Sequence, residues 1–319
     1  MSTVDTDVVV SVCANCGKEG DNVNNVCNKC KQVKYCNAVC KKVHKKKHKK
    51  DCEEYIRLAT EKHNEELRIA AKSHDIELFK EPPSQFGDCP ICFLRLPFRN
   101  TGRAYFSCCG KMICSGCSWA PLYDNQGNEV DNKKCAFCRT SDPESYEEIM
   151  KRHEKRVDAD DPIAIYTKGN YYKDGRNGYP QDYAKALESF HRSAELGCSE
   201  AYTSIGYVYL SGRGVKIDEE KAKHYYELAA MGGDTSARHN LGVLEANVGN
   251  YDRALKHLLI ANRAGHDKSL EMIKDMYQHG DATKDDYTKA LQSYQEYLGE
   301  IKSCQRDKAA AADERNRYY

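Results

Sequence analysis

Seventeen cysteines carry most of the chemistry this 319-residue chain can do. Fifteen fall between Cys13 and Cys138, and only Cys198 and Cys304 stand apart. A first group reads CANC (Cys13, Cys16), CNKC (Cys27, Cys30), CNAVC (Cys36, Cys40), then His48 and Cys52. A second reads CPIC (Cys89, Cys92), CC (Cys108, Cys109), CSGC (Cys114, Cys117) and CAFC (Cys135, Cys138). Zinc takes four thiolate or imidazole ligands in a tetrahedron, and a gap of two or three residues lets both sulfurs of a pair reach one ion. Each group supplies eight ligands, enough for two ions, so four zinc ions are expected. His48 stands one helical turn before Cys52, where two side chains share a helix face. His44 is the rival ligand, with a less suitable gap to Cys52.

Sites closed by four protein ligands leave no position for a catalytic water, which argues against a metallo-hydrolase. No glycine-rich cofactor segment suggests a methyltransferase, and no βαβ context surrounds the pairs to suggest a redox enzyme. The opening segment MSTVDTDVVVSV is acidic where a secretory signal is basic. Its run VVVSV is too short to span a membrane. An intracellular protein, cytoplasmic or nuclear and without a membrane partner, is therefore expected. Clustered cysteines in such a compartment bind metal before they form disulfides.

The first group resembles a MYND zinc finger over residues 10–52. Tyr35 before Cys36, the three-residue gap to Cys40, and His48-Lys49 before Cys52 carry the likeness. The resemblance implies interleaved sites: Cys13, Cys16, Cys36 and Cys40 on one ion, and Cys27, Cys30, His48 and Cys52 on the other. It also implies protein–protein interaction, often with proline-containing peptides. Two positions depart from the family pattern, because Lys41 replaces a glutamine and Lys45 a tryptophan in the peptide groove.

The second group resembles an all-cysteine RING finger over residues 87–142, with Lys111 where the commoner subclass has a histidine. The cross-braced pattern implies one site from Cys89, Cys92, Cys114 and Cys117. Cys108, Cys109, Cys135 and Cys138 form the other, which needs a local turn to aim adjacent cysteines at one ion. The resemblance further implies contact positions for a ubiquitin-conjugating enzyme at Ile91, Trp119 and Arg139. In such a ligase the module would act by positioning, without a nucleophile of its own. The alternative is that Ile91 and Trp119 pack a small core, Arg139 is solvated, and the module is an adaptor.

These sites must be held by surrounding elements. Residues 53–86 form a connector. Its stretch 53–81 lacks Gly and Pro and is rich in Ala, Leu, Glu and Lys, which predicts a helix of about 40 Å. That helix reads either as a spacer or as a helix folded onto a neighbour. A linker is expected at 143–160. From 161 to 303 the sequence repeats, with KALESFHRSAELG, KAKHYYELAAMGG, RALKHLLIANRAG and KALQSYQEYLGEI as aligned copies. Gly197, Gly233 and Gly265 close the first three, and Gly169, Gly206 and Gly242 recur in a preceding helix. These features resemble Sel-one-like repeats, relatives of tetratricopeptide repeats. They imply an α-solenoid of helix-turn-helix units that binds a protein client. Residues 304–319 are a tail that either extends the last helix or frays.

The expected fold is mostly α: two small cross-braced zinc-finger modules, joined by a helix to the solenoid. Net charge is +1, so no whole-chain field favours nucleic acid. Local charge is uneven, with seven lysines between positions 41 and 50. That run reads either as a nucleic-acid contact of a regulatory adaptor or as a solvated helix face. The function expected is a zinc-binding interaction scaffold, with ubiquitin ligation as a further activity.

Overall fold

The computed structural model describes residues 11–20, 23–123, 128–130 and 134–319. The chain divides into two compact units, Met1–Ile76 and Glu77–Tyr319.

In the first unit, β1 (Asn25–Val26) pairs antiparallel with β2 (Lys34–Tyr35). Helix α1 (Ala38–His44) follows, its first turn capped by the Asn37 side chain, which accepts from the Cys40 amide at 2.8 Å. Cys13, Val23 and Tyr35 form the small buried core. Helix α2 (Lys49–Leu78) is thirty residues long, as the absence of Gly and Pro predicts. Residues 53–74 are exposed throughout, so its helicity rests on propensity and on i,i+4 pairs such as Arg57–Glu61.

The second unit begins with a cysteine-rich module. Strands β3 (Arg103–Phe106) and β4 (Lys111–Cys114) form an antiparallel hairpin with Arg103 opposite Cys114. Helix α3 (Ser115–Trp119) follows directly. Cys89, Leu96, Ile113, Cys114, Cys117 and Cys135 form its core.

Residues 143–160, expected as a linker, are mostly helix α4 (Tyr146–Asp158). Ser145 caps it through the Glu148 amide, and His153 and Val157, four apart, are buried on one face. Four helix pairs come next: α5 (Pro162–Asp174) and α6 (Tyr183–Glu195), α7 (Ser199–Ser211) and α8 (Glu219–Met231), α9 (Thr235–Asn247) and α10 (Tyr251–Arg263), α11 (Asp267–His279) and α12 (Lys284–Ile301). Asp161, Asp182, Asp218 and Asp234 cap four of these helices with their carboxylates. Within the first three pairs the helices touch closely. A Cβ added at Gly169, Gly206 or Gly242 would lie 2.6–2.8 Å from Phe190, Tyr226 or Leu258. The turns after the second helices use Gly197, Gly233 and Gly265 at φ of 95°, 92° and 96°. In the fourth copy the corresponding Ile301 is fully buried.

The tail does not fray. It forms a separate helix, α13 (Cys304–Ala312), capped by Ser303 and packed against α3. Tyr318 near the end is buried with Tyr297 and Ile301. None of the described helices is long and apolar enough to cross a membrane.

Candidate metal centres

Four groups of side chains converge, each with its ligand atoms within 4.8 Å of one another. They are Cys13, Cys16, Cys36 and Cys40; Cys27, Cys30, His48 and Cys52; Cys89, Cys92, Cys114 and Cys117; and Cys108, Cys109, Cys135 and Cys138. These are the interleaved sets implied by the two resemblances. Metal–sulfur bonds of about 2.3 Å in a tetrahedron put neighbouring sulfurs about 3.8 Å apart. The observed sulfur–sulfur distances match: 3.6 Å for Cys16–Cys36 and Cys36–Cys40, 3.7 Å for Cys27–Cys52, and 3.8 Å for Cys92–Cys114. Cys109–Cys135 is 3.9 Å and Cys108–Cys138 is 3.4 Å. The donor sets therefore fit zinc.

Local structure explains how two of the sets close. In the second group, His48 lies one turn before Cys52, and its Nε2 reaches the Cys30 sulfur at 3.3 Å. The rival His44 is engaged elsewhere, its Nδ1 3.2 Å from the Tyr35 hydroxyl. In the fourth group the awkward adjacent pair sits in the β3–β4 turn. The amides of Cys109 and Gly110 both donate to Phe106 O, and Gly110 takes φ +68°. That turn swings both sulfurs to one side.

Crowding the thiols has an electrostatic consequence. A hydrogen bond from Cys114 holds Cys89 down to about 4, while that bond and burial push Cys114 far above its usual range. Likewise Cys40 pushes Cys36 up to about 12. Four sulfurs this close cannot all ionise unaided, and a divalent cation removes the conflict by stabilising every thiolate at once.

The lysine run serves partly as structure. Lys41, at the first of the two departures from the MYND pattern, folds back to donate to Val26 O at 2.6 Å and Asn28 Oδ1 at 2.7 Å. Lys45 and its neighbours Lys46 and Lys47 remain exposed.

The second module lies along the N-terminal ends of α5, α9 and α11 and the C-terminal end of α12, an arrangement the sequence did not announce. Tyr105 donates to Asp161 at 2.7 Å before α5. Gln85 donates to Asp234 at 2.9 Å and accepts from the Thr235 amide at 3.2 Å at the start of α9. Arg99 pairs with Asp267 at 2.6 Å, and Phe98 packs on His266, at the start of α11. Arg95 reaches Glu300 of α12 at 2.7 Å, and the Phe98 amide donates to the Tyr297 hydroxyl. A cavity of about 470 Å³ remains between them, with Arg103, Glu200 and Thr203 in its wall. Burial drives Asp234 up to about 6 and Arg103 down to about 10. Cys198, also in this wall, is pushed up to about 12 by burial and is therefore a poor nucleophile.

The proposed contact positions differ in exposure. Ile91 is 36% exposed and Arg139 is exposed at φ +64°. Trp119 is half-buried, stacked on Tyr123 with ring centroids 4.3 Å apart.

Family models match a MYND finger at residues 13–52 and Sel1 repeats at 169–198, 199–234, 236–266 and 275–295. Among curated proteins, the chain is 30% identical over 125 residues to an ERAD-associated E3 ubiquitin-protein ligase component, HRD3B, of Arabidopsis thaliana. It is 30% identical over 106 residues to chitin synthase regulatory factor 4 of Schizosaccharomyces pombe. These matches cover 39% and 33% of this chain but only 19% and 17% of the relatives. The chain thus spans less than a fifth of either relative's length. A crystal structure of a Sel1 repeat protein from Oxalobacter formigenes is similar at 28% identity and TM-score 0.42, covering 54% of this chain and 67% of that one. The chain accordingly carries a MYND finger followed, after a second cysteine-rich module, by four Sel1 repeats, a combination of interaction modules on one scaffold.

Proposed function

We propose that the protein is a zinc-dependent protein-interaction scaffold with four structural zinc ions. The observation that carries this reading is the closure of all four clusters. Each offers four ligands at tetrahedral spacing, none leaves an obvious vacancy for a reacting molecule, and each joins chain segments that lack a large core of their own. The first ion would sit on Cys13, Cys16, Cys36 and Cys40, and the second on Cys27, Cys30, His48 and Cys52. The third and fourth would hold the two halves of the second module. Zinc there orders the chain, and the chain's own residues supply the binding surfaces. Metal analysis of the purified full chain should return four zinc ions; two or fewer would remove one module from the scheme.

A finer reading is that the second module recruits a ubiquitin-conjugating enzyme and the repeats recruit a client. Exposure of Ile91 and Arg139 favours it, as does the similarity to HRD3B, a component of a ubiquitin ligase. Autoubiquitination with a panel of conjugating enzymes tests the point. Activity lost in Ile91→Ala and Arg139→Ala supports ligation; no activity in the wild-type chain leaves an adaptor.

A further inference from the structure

Arg306 of α13 has a relative exposure of 0%, one of the most deeply enclosed large side chains in the protein. An arginine cannot shed its charge, so burying it is costly unless its surroundings supply negative charge and acceptors. Its Nη1 donates to Arg95 O at 2.9 Å and Ile301 O at 2.6 Å. Its Nη2 lies 3.4 Å from Leu94 O and 3.9 Å from the Cys92 sulfur. Leu94 and Arg95 lie on the segment that returns after the Pro90–Cys92 turn, where Arg95 pairs with Asp88, so the guanidinium grips the backbone of the ligand loop as well as a ligand. No carboxylate accepts from it in these contacts.

The charge it faces has to come from the cluster. Four thiolates around a divalent ion leave two negative charges in excess, buried beside Leu96 and Ile113. The rest of α13 is fitted to the same module. Gly116 of α3 lies so close that an added Cβ would stand 2.7 Å from the Arg306 amide, and Cys117 Sγ is 3.8 Å from Gln305 Oε1.

We propose that Arg306 is the outer-sphere partner of a zinc ion held by Cys89, Cys92, Cys114 and Cys117, and that docking of the C-terminal helix is thereby tied to metal at that one site. The proposal rests on the zinc reading above. Outer-sphere partners that orient and neutralise ligands typically change metal retention by about 10–100-fold. The C-terminal segment is then a working part of the second module, more than 160 residues after its last cysteine in sequence.

The test uses the full chain and a chromophoric chelator that reports released zinc. In Arg306→Met, one zinc equivalent of the four should leave about 10–100-fold sooner than in the wild-type chain, with the other three unchanged. Arg306→Lys, which keeps the charge and loses the fork, should fall between them. A second measurement covers a variant that fails to fold. In the wild-type chain, protease protection of residues 303–319 should disappear together with the zinc of this site as chelator is added. Four bound zincs with unchanged release in Arg306→Met, or a tail still protected after this zinc has left, overturns the proposal alone. A wild-type chain holding two zincs or fewer, with none on this cluster, overturns the zinc reading and the proposal with it.

Discussion

In the MYND finger, the buried core beside the ligands amounts to Val23 and Tyr35, and every ligand lies within forty residues of every other. In the second module, Leu96 and Ile113 join the ligands, and much of the surrounding wall comes from far away in sequence. Arg156 donates to Ser107 O and Cys108 O, Tyr297 accepts from the Phe98 amide, and Arg306 closes the ligand loop 214 residues away. The two modules use equal numbers of candidate ligands on different terms. One has little besides metal to hold it, and the other is also held by the repeats.

Zinc removal is the largest lever on that difference. Zinc binding to small modules is worth roughly 10–16 kcal/mol in apparent folding free energy at neutral pH. Excess chelator should therefore leave residues 11–52 unfolded, with amide exchange there rising to the rate of a free chain. Residues 162–301 should keep their helices, because their cores of alanine, tyrosine and leucine contain none of the candidate ligands. The second module should respond between these extremes. Hydrogen exchange read by segment checks this, and repeats that melt along with the fingers would break the comparison.

A smaller effect separates the packing of the repeats from the metal sites. Gly206 faces the buried Tyr226, and an added Cβ would lie 2.8 Å from its ring. Gly206→Val should cost about 2–3 kcal/mol, the usual scale of overpacking, and leave the zinc content the same as in the wild-type chain. Gly299 in α12 is the control, because nothing lies within 4 Å of its added Cβ. Gly299→Ala should raise stability by up to about 1 kcal/mol through helix propensity alone. Chemical denaturation followed by circular dichroism reads both.

The contrast between modules also explains what was legible from sequence. Paired ligands are separated by two or three residues and the repeat copies start 32 or 36 residues apart, so local spacing announces both. The pairing of Cys108 with Cys109 was harder, because only the turn at Gly110 makes adjacent sulfurs convergent. Helix α4 was missed even though Ser145 and Glu148 supplied a start signal. Contacts such as Tyr105–Asp161 or Arg306–Cys92 had no local signature, since an arginine in an alanine-rich tail looks like a solvated residue. The seat of the second module on the repeats is a property of surface shape and charge, and neither has a period.

The finest probe of that seat is Asp234, which caps α9 by accepting from the Ala237 amide at 2.6 Å and also takes the Gln85 side chain. Burial raises its carboxyl from an ordinary value of 3.8 to about 6. The proton is thus bound more tightly in the folded chain than in the unfolded one. The stability tied to that proton is present below pH about 4 and is lost as pH rises through about 6. At neutral pH the ionised carboxylate should therefore burden the fold by on the order of 2–3 kcal/mol relative to its protonated form. Asp234→Asn keeps an oxygen for the cap and removes the titration. Its stability relative to the wild-type chain should rise between about pH 4 and pH 6 and then level off. Thermal unfolding of both chains across that range, with zinc saturating, measures the difference. A difference that stays flat would mean that Asp234 meets water in solution, and that the module sits less tightly on the repeats than its hydrogen bonds indicate.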